Sequence, residues 1–311
     1  MKIVELSDIK NIPVSFTLGS FDGLHKGHFV LLSELKQSSV RTNSKSLVIS
    51  FYPHPRRIVD SDYNLELLND KSEKLRILNE IGIDYIHFID FTKEFSKISY
   101  KDFYENYIFI NLDVKEIIVG SNHGFGMNRD GNKDILSEMC KNHSVKFISV
   151  EPLVYKDRSI SSTRIRKSLS EGNIEDANEM LGYEYDLGGT VEKGKGLGRK
   201  INFPTANIIL NRTDKVIPNT GVYFSAIRIK EDLFFGITNI GLNPTVGNSV
   251  MMLESHIFDF NEDIYGKEIR VSFIKRIRDE IRFPSVQELK MAIEEDFIKA
   301  KQIEKDYRAN R

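Results

Sequence analysis

At 311 residues the chain is long enough for two domains with full cores, and its 44 basic and 45 acidic residues nearly cancel. That balance gives no electrostatic case for nucleic acid as a partner, and no apolar run approaches the length needed to cross a membrane. The single cysteine, Cys140, excludes an internal disulfide framework and fits a reducing compartment; with no signal-peptide pattern in residues 1–8, a soluble, cytoplasmic protein is the expectation.

Residues 14–18 read as a buried strand, and residues 29–35 place apolar side chains at helical spacing. The run Gly19-Ser20-Phe21-Asp22-Gly23-Leu24-His25-Lys26-Gly27-His28 therefore falls on a strand-to-helix turn. Three-residue spacing puts His25 and His28 on one face if the helix has begun. Glycines let backbone approach a ligand closely, and a helix start with free N–H groups suits phosphate. Two imidazoles aimed at that point can donate to phosphate oxygens as charge builds on them. The turn reads as a nucleotide-phosphate site for nucleotidyl transfer. His25 and His28 are its candidate catalytic residues, and Gly19, Phe21, Asp22 and Gly23 its candidate nucleotide-binding residues. The bland alternative is a pair of histidines satisfying a helix start.

Strands at 46–51, 85–89, 116–120 and 145–150 alternate with helices at 70–81 and 100–110, and Asp70 with Glu73 forms a capping box at the first helix. This rhythm, kept up to about residue 183, predicts a parallel sheet with helices on both faces and ligands beyond the carboxyl ends of the strands. Ile160-Ser161-Ser162-Thr163-Arg164-Ile165-Arg166 opens a further helix. Its hydroxyls can cap free N–H groups, but two hydroxyls and two arginines crowded on one turn also suit phosphate oxygens. Beside the histidine turn in one α/β domain, the phosphate reading is preferred.

After Gly182, short β-rich segments at 187–191, 222–229, 233–240, 253–260 and 269–274, with Lys230-Glu231-Asp232 as a hairpin loop, suggest a small antiparallel barrel. A closing helix carries a Ser285/Glu288 capping box and an apolar stripe, Leu289, Ile293 and Phe297, that reads as core packing. The glycine-rich run at 188–199 is not a P-loop, because Gly196 stands where a hydroxyl should hold magnesium. No helix follows it, so it is not a dinucleotide turn either. A glycine flap over phosphates with oxygen ligands after it still suits ATP, through Gly194, Gly198 and Arg199. Pro204 fixes the chain just before Thr205 and Asn207, which face the same way if extended and suit a hard cation. A buried threonine and a turn asparagine are the plainer alternative.

Together these motifs resemble, in order and over almost the whole chain, the prokaryotic bifunctional riboflavin kinase/FAD synthetase family. The histidine turn and residues 160–166, with Phe51-Tyr52-Pro53-His54-Pro55 and Gly120-Ser121-Asn122-His123-Gly124-Phe125-Gly126, look like its adenylyltransferase half. The 198–207 run, Asn239-Ile240-Gly241-Leu242-Asn243-Pro244-Thr245, Glu254-Ser255-His256-Ile257-Phe258-Asp259-Phe260 and Tyr265-Gly266 resemble its kinase half. The chain departs from the family pattern at His123, at Gly124 and at Asn202, which stands in place of a glycine.

The resemblance implies an α/β Rossmann-like nucleotidyltransferase domain over 1–183 and a small antiparallel β-barrel domain with a C-terminal helix over 184–311. It implies ATP, riboflavin, FMN and FAD as ligands, with Mg2+ in both sites. His25 and His28 would hold the ATP phosphates during attack by FMN. Asn122, Ser162 and Thr163 would line the nucleotide site, with Arg166 near its phosphates and Phe125 on the flavin. Glu254 would be the base that accepts the riboflavin 5′-hydroxyl proton, and His256 is read as structural. Two alternatives stay open at this point: an adenylyltransferase with a silent kinase domain, and a flavin-binding regulator without turnover. Oligomeric state is left open.

Overall fold

The computed structural model describes residues 1–60, 65–121, 124, 131–194, 196, 198, 201, 203–211, 214–245 and 248–309, and only the backbone between 242 and 250. The chain forms two compact units, Met1–Ser162 and Thr163–Arg311.

The first unit is built on a six-stranded sheet in the order β1-β4-β3-β2-β5-β6. Its strands are β1 (Lys2–Ile3), β2 (Pro13–Leu18), β3 (Lys45–Tyr52), β4 (Tyr85–Asp90), β5 (Asp113–Gly120) and β6 (Lys146–Val150), and every pairing is parallel. Both faces of these strands are covered: β2 is buried from Val14 to Leu18 with Ser15 and Thr17 on the face opposite Val14, Phe16 and Leu18, and β3 carries the continuous apolar run Leu47-Val48-Ile49. Val14, Phe16, Leu18, Leu47 and Ile49 all enter one buried cluster. The chain winds outward from β2 through β3 to β4, then returns to start β5 on the other side of β2. That reversal places a crevice at the carboxyl ends of β2 and β5, where open α/β sheets bind ligands. The histidine turn is the segment leaving β2. Beyond β6 the chain forms a short antiparallel hairpin, β7 (Val154–Tyr155) with β8 (Arg158–Ser159).

Helices α1 (Lys26–Arg41), α2 (Pro55–Val59), α3 (Lys71–Ile81), α4 (Tyr100–Asp102) and α5 (Lys133–Asn142) connect the strands. At α3 the predicted capping box is present in both halves. The Asp70 carboxylate accepts from the Glu73 N–H at 2.8 Å, and the Glu73 carboxylate from the Asp70 N–H at 2.9 Å. Gly82, at φ +82°, ends the helix in the left-handed conformation that glycine adopts without strain. The helix expected at 100–110 is a single α turn that widens into a π-helix at Phe103–Phe109. Cys140 is a free thiol in the core of α5, and burial pushes it up to about 12.

The second unit contains α6 (Ser162–Ser170, whose first residue closes the first unit), α7 (Ile174–Leu181) and a closed barrel in the order β10-β13-β12-β11-β14-β9. The barrel strands are β9 (Asp186–Glu192), β10 (Ala206–Leu210), β11 (Gly221–Ile229), β12 (Asp232–Thr245), β13 (Asn248–Ile257) and β14 (Glu268–Arg278), all paired antiparallel. The predicted hairpin closes with Ile229 opposite Asp232. The segment expected at 253–260 leaves its ladder after Ile257, where Asp259 takes φ +54°. Helices α6 and α7 pack with the barrel: Asn178 donates to the Phe273 carbonyl at 2.7 Å, and the Asn219 N–H to the Leu169 carbonyl at 2.9 Å.

Helix α8 (Val286–Ala309) lies on the outer face of the barrel, where Phe297, Ala300, Ile303 and Tyr307 meet Val222, Phe224, Phe235, Ile237 and Phe258. Phe297 of the predicted stripe takes part, but the buried positions of the helix are Asp296 and Ala300. Asp296 is buried because Arg278 meets it with Nε at 3.0 Å and Nη2 at 2.8 Å. Removing one partner of a buried, hydrogen-bonded pair strands the other charge in a poorly solvated place. D296A is therefore expected to lose about 3 kcal/mol of stability, and D296L/R278M to regain most of it, read as urea unfolding midpoints of the full chain.

Candidate active sites

In the first unit His25 is the N-cap of α1, and its Nδ1 accepts the His28 N–H at 3.3 Å. An imidazole nitrogen that accepts carries no proton, so in the neutral ring the proton sits on Nε2. The two rings stack with centroids 3.7 Å apart and planes 12° from parallel. Phe21 meets the His28 ring edge-on at 5.2 Å. His28 Nδ1 is sealed from solvent and has no hydrogen-bond partner among the described residues.

Burial disfavours the charged imidazole. It pushes His25 down to about 4 and His28 well below its ordinary value, with the neighbouring His25 and the Lys74 ammonium adding to the second shift. At neutral pH the pair is therefore two uncharged rings. They can donate N–H bonds without a standing positive charge, and they gain charge only when an anion arrives to stabilise it.

The turn is held from below. Asp22 is buried, and its Oδ1 accepts the N–H groups of Leu68 and Asn69 at 3.0 and 3.2 Å. Gly23 sits at φ +84° with Leu68 against the space where a Cβ would be, so no side chain fits there. The Gly19 N–H donates to the Ile49 carbonyl at 3.1 Å, continuing the sheet into the turn. The Ser162 hydroxyl donates to the Asp22 carbonyl at 2.7 Å, so this candidate is brought to the turn. Thr163 and Arg166 lie on α6 in the second unit. Asn122, His123 and Phe125 lie outside the described residues.

One residue that sequence reasoning missed stands here. Lys74, on α3, is buried; its Nζ donates to the Ser20 carbonyl at 2.6 Å and to the Ser50 hydroxyl at 3.2 Å. The available signal was positional: Lys74 stands three and four residues before the buried Ile77 and Leu78, on the inward face of the helix.

In the barrel, Asn239, Glu254, Asn207 and Glu192 are successive register partners across β12, β13, β10 and β9. Register partners share a face, and the residues alternating with them (Ile240, Leu253, Ile208, Val191) fill the barrel interior. The polar row therefore lies on the outer face, with Glu254 between two amides. A Cβ at Gly194 would run into the Asn207 amide, and one at Gly198 into the Phe203 carbonyl and close to the Thr205 hydroxyl. Gly194 thus lies directly against Asn207, and Gly198 against Phe203 and Thr205. His256 accepts a supporting part: its Nδ1 meets the Pro204 carbonyl at 2.9 Å and its ring the edge of Phe203 at 5.4 Å. Arg199 and Asn202 lie outside the described residues. No group of three or more histidine, cysteine, aspartate or glutamate side chains able to hold a metal occurs among the described residues. The hydroxyl and amide oxygens of Thr205 and Asn207 suit a hard cation that takes its remaining ligands from phosphate and water.

Comparison with known proteins finds relatives over most of the chain. A family model described as FAD synthetase matches residues 8–164, and one described as riboflavin kinase matches residues 181–304. A bifunctional riboflavin kinase/FMN adenylyltransferase of Buchnera aphidicola is 36% identical over 96% of this chain and 96% of its own length. One from Escherichia coli is 35% identical over 92% of this chain and 91% of its own. The crystal structure of a Streptococcus pneumoniae protein described as a macrolide-efflux protein superposes with a TM-score of 0.88 at 28% identity, covering 96% of this chain and 98% of that one. Among the described residues of this chain, no helix is long and apolar enough to cross a membrane.

The buried neutral histidines give stability a pH dependence of defined sign. Between about 4 and 6.5 the unfolded chain binds a proton at His25 that the folded chain does not, so stability falls as the pH drops through that window and is complete above it. The shift corresponds to roughly 3 kcal/mol from His25, with His28 acting in the same direction. Urea unfolding midpoints measured from pH 7 to 4 should fall more steeply for the native chain than for H25N/H28N; parallel curves would contradict the buried, neutral pair.

Proposed function

The chain belongs to the bifunctional riboflavin kinase/FMN adenylyltransferase family, and we propose that its two reactions divide between the two constellations described above, with functional halves 1–183 and 184–311. The protein is an enzyme of both activities: ATP phosphorylates riboflavin to FMN, and the adenylyl group of a second ATP passes to FMN, giving FAD and pyrophosphate. The observation that carries the division is that each half presents its own polar apparatus. One half has the stacked His25–His28 pair at the carboxyl end of β2, and the other has Glu254 flanked by Asn207 and Asn239 on the barrel wall.

In the adenylyl transfer a phosphate oxygen of FMN bonds to the α-phosphorus of ATP, and the bond to the β-phosphate breaks with its electron pair leaving on pyrophosphate. The FMN phosphate is already largely ionised at neutral pH, so no protein base is required. The task is alignment and charge stabilisation. The Nε2–H of His25 and the ring of His28 donate to the phosphates as charge shifts toward the leaving group. Gly19, Phe21, Asp22 and Gly23 shape the wall of the nucleotide site; Asn122, Ser162, Thr163 and Arg166 complete it, and Phe125 packs on the flavin.

In the kinase half, Glu254 accepts the proton of the riboflavin 5′-hydroxyl as that oxygen attacks the γ-phosphorus and ADP departs. Gly194 and Gly198 let the flap backbone approach the ATP phosphates, with Arg199 paired to them. Thr205 and Asn207 would hold Mg2+, which when bound neutralises phosphate charge. The location we propose is cytoplasmic, on the reading of the single cysteine given above.

Purified protein incubated with ATP and Mg2+, started in one tube from riboflavin and in another from FMN, should yield FAD in both when the flavins are separated by chromatography. H25A should lower FAD formation about 100- to 1,000-fold while leaving FMN formation intact. E254A should abolish FMN formation yet still convert supplied FMN to FAD. Loss of both activities from either single change, in a folded chain, would refute the two-site division.

A further inference from the structure

We propose that Lys74 is a positioning residue for adenylyl transfer, fixing the turn that carries His25 and His28 by clamping the Ser20 carbonyl against the end of β3. The inference rests on the assignment of adenylyl transfer to that turn.

Three elements converge on the ammonium. It comes from α3; Ser20 leaves β2, and Ser50 lies in β3. Its two hydrogen-bond partners among the described residues are both neutral oxygens, the Ser20 carbonyl at 2.6 Å and the Ser50 hydroxyl at 3.2 Å, in a position only 8% exposed. The Ser50 hydroxyl also reaches the Ser20 carbonyl at 3.3 Å, so one backbone oxygen is held from two sides. A buried cation is costly to keep for stability alone, since an apolar side chain of the same length would fill the space without desolvating a charge. The place it holds is specific: Ser20 precedes Phe21, whose backbone takes the left-handed value φ +46° and whose ring braces the edge of His28. Rotation of the Ser20 carbonyl would turn Phe21 away and release the stacked pair.

Among the described residues, the charged and titratable groups around the ammonium are few. Asp22 from the turn favours the cation, and His28 from α1 feels it as repulsion and stays neutral. Glu73, its neighbour on α3, is turned to the Asp70 N–H. Burial outweighs the attraction of Asp22 and brings Lys74 down to about 8.

The test is FAD formation from FMN and ATP by the full chain and its K74M variant, with FMN formation by the same samples as the internal control. K74M should lose about tenfold or more in kcat/KM for ATP, the worth of one charge-assisted hydrogen bond, with FMN formation unchanged. The pH profile of kcat/KM reports the free enzyme. It should show an alkaline limb near pH 8 in the native chain that K74M lacks. A K74M chain with native kcat/KM, or one that keeps the limb, overturns the proposal. If K74M fails to fold, S50A decides: it removes one clamp partner without stranding a large cavity, and an unchanged kcat/KM overturns the proposal while a severalfold loss supports it. A native chain that makes no FAD from FMN at all would instead overturn the underlying assignment.

Discussion

The hydrogen bond from the His28 amide to Nδ1 of His25 is the contact on which the adenylyl-transfer site depends. Helix starts are ordinarily closed by a hydroxyl, a carboxylate or an amide. Here an imidazole closes α1, and three properties follow together. The ring is fixed at the head of the helix, its protonated nitrogen is directed away from the backbone, and its neighbour three residues on is stacked against it. The surrounding structure then serves to keep that cap in place. Asp22 ties the turn to residues 68 and 69, Gly23 admits the close approach of Leu68, and Lys74 reaches in from α3.

The barrel solves a different problem. Its interior is filled, so its chemistry has to lie on the wall, and register is what assembles it. Antiparallel pairing sets Glu254 opposite Asn207 on one side and Asn239 on the other, although the three are far apart in the chain. A slip of one residue would turn Glu254 into the barrel and Leu253 out of it. Closure of the sheet and the packing of α8 on the outer face work against such a slip.

Much of this was legible in the sequence because it was encoded locally. The Asp70/Glu73 box, the strand-to-helix placement of the histidines and the hairpin at Lys230-Glu231-Asp232 are all signals confined to a few residues, and the structure carries each of them, with Asp232 already paired to Ile229 in the ladder. What was not legible was set by tertiary context. Strand β10 is five residues long with adjacent isoleucines, so it shows no clean alternation, and only its partners β9 and β13 define it. The π turn after Asp102 has the same apolar spacing as an α-helix until its aromatic residues are packed. Asp296 is a carboxylate beside an apolar stripe, with nothing in its own helix to mark it as buried; it is buried because Arg278, at the end of the preceding strand β14, meets it. Lys74 was hidden for the same reason: composition places a lysine outside, and only the carbonyl and hydroxyl waiting for it bring it in.

The double duty of His25 also bears on inheritance. Asparagine can close a helix start through its side-chain oxygen, and it is one base change away from histidine in the genetic code. Such an allele would keep the cap and the folded domain while removing the outward imidazole donor. Selection for solubility or for the partner activity would not purge it, so descent can silence one half of a chain of this design and leave no scar in its architecture.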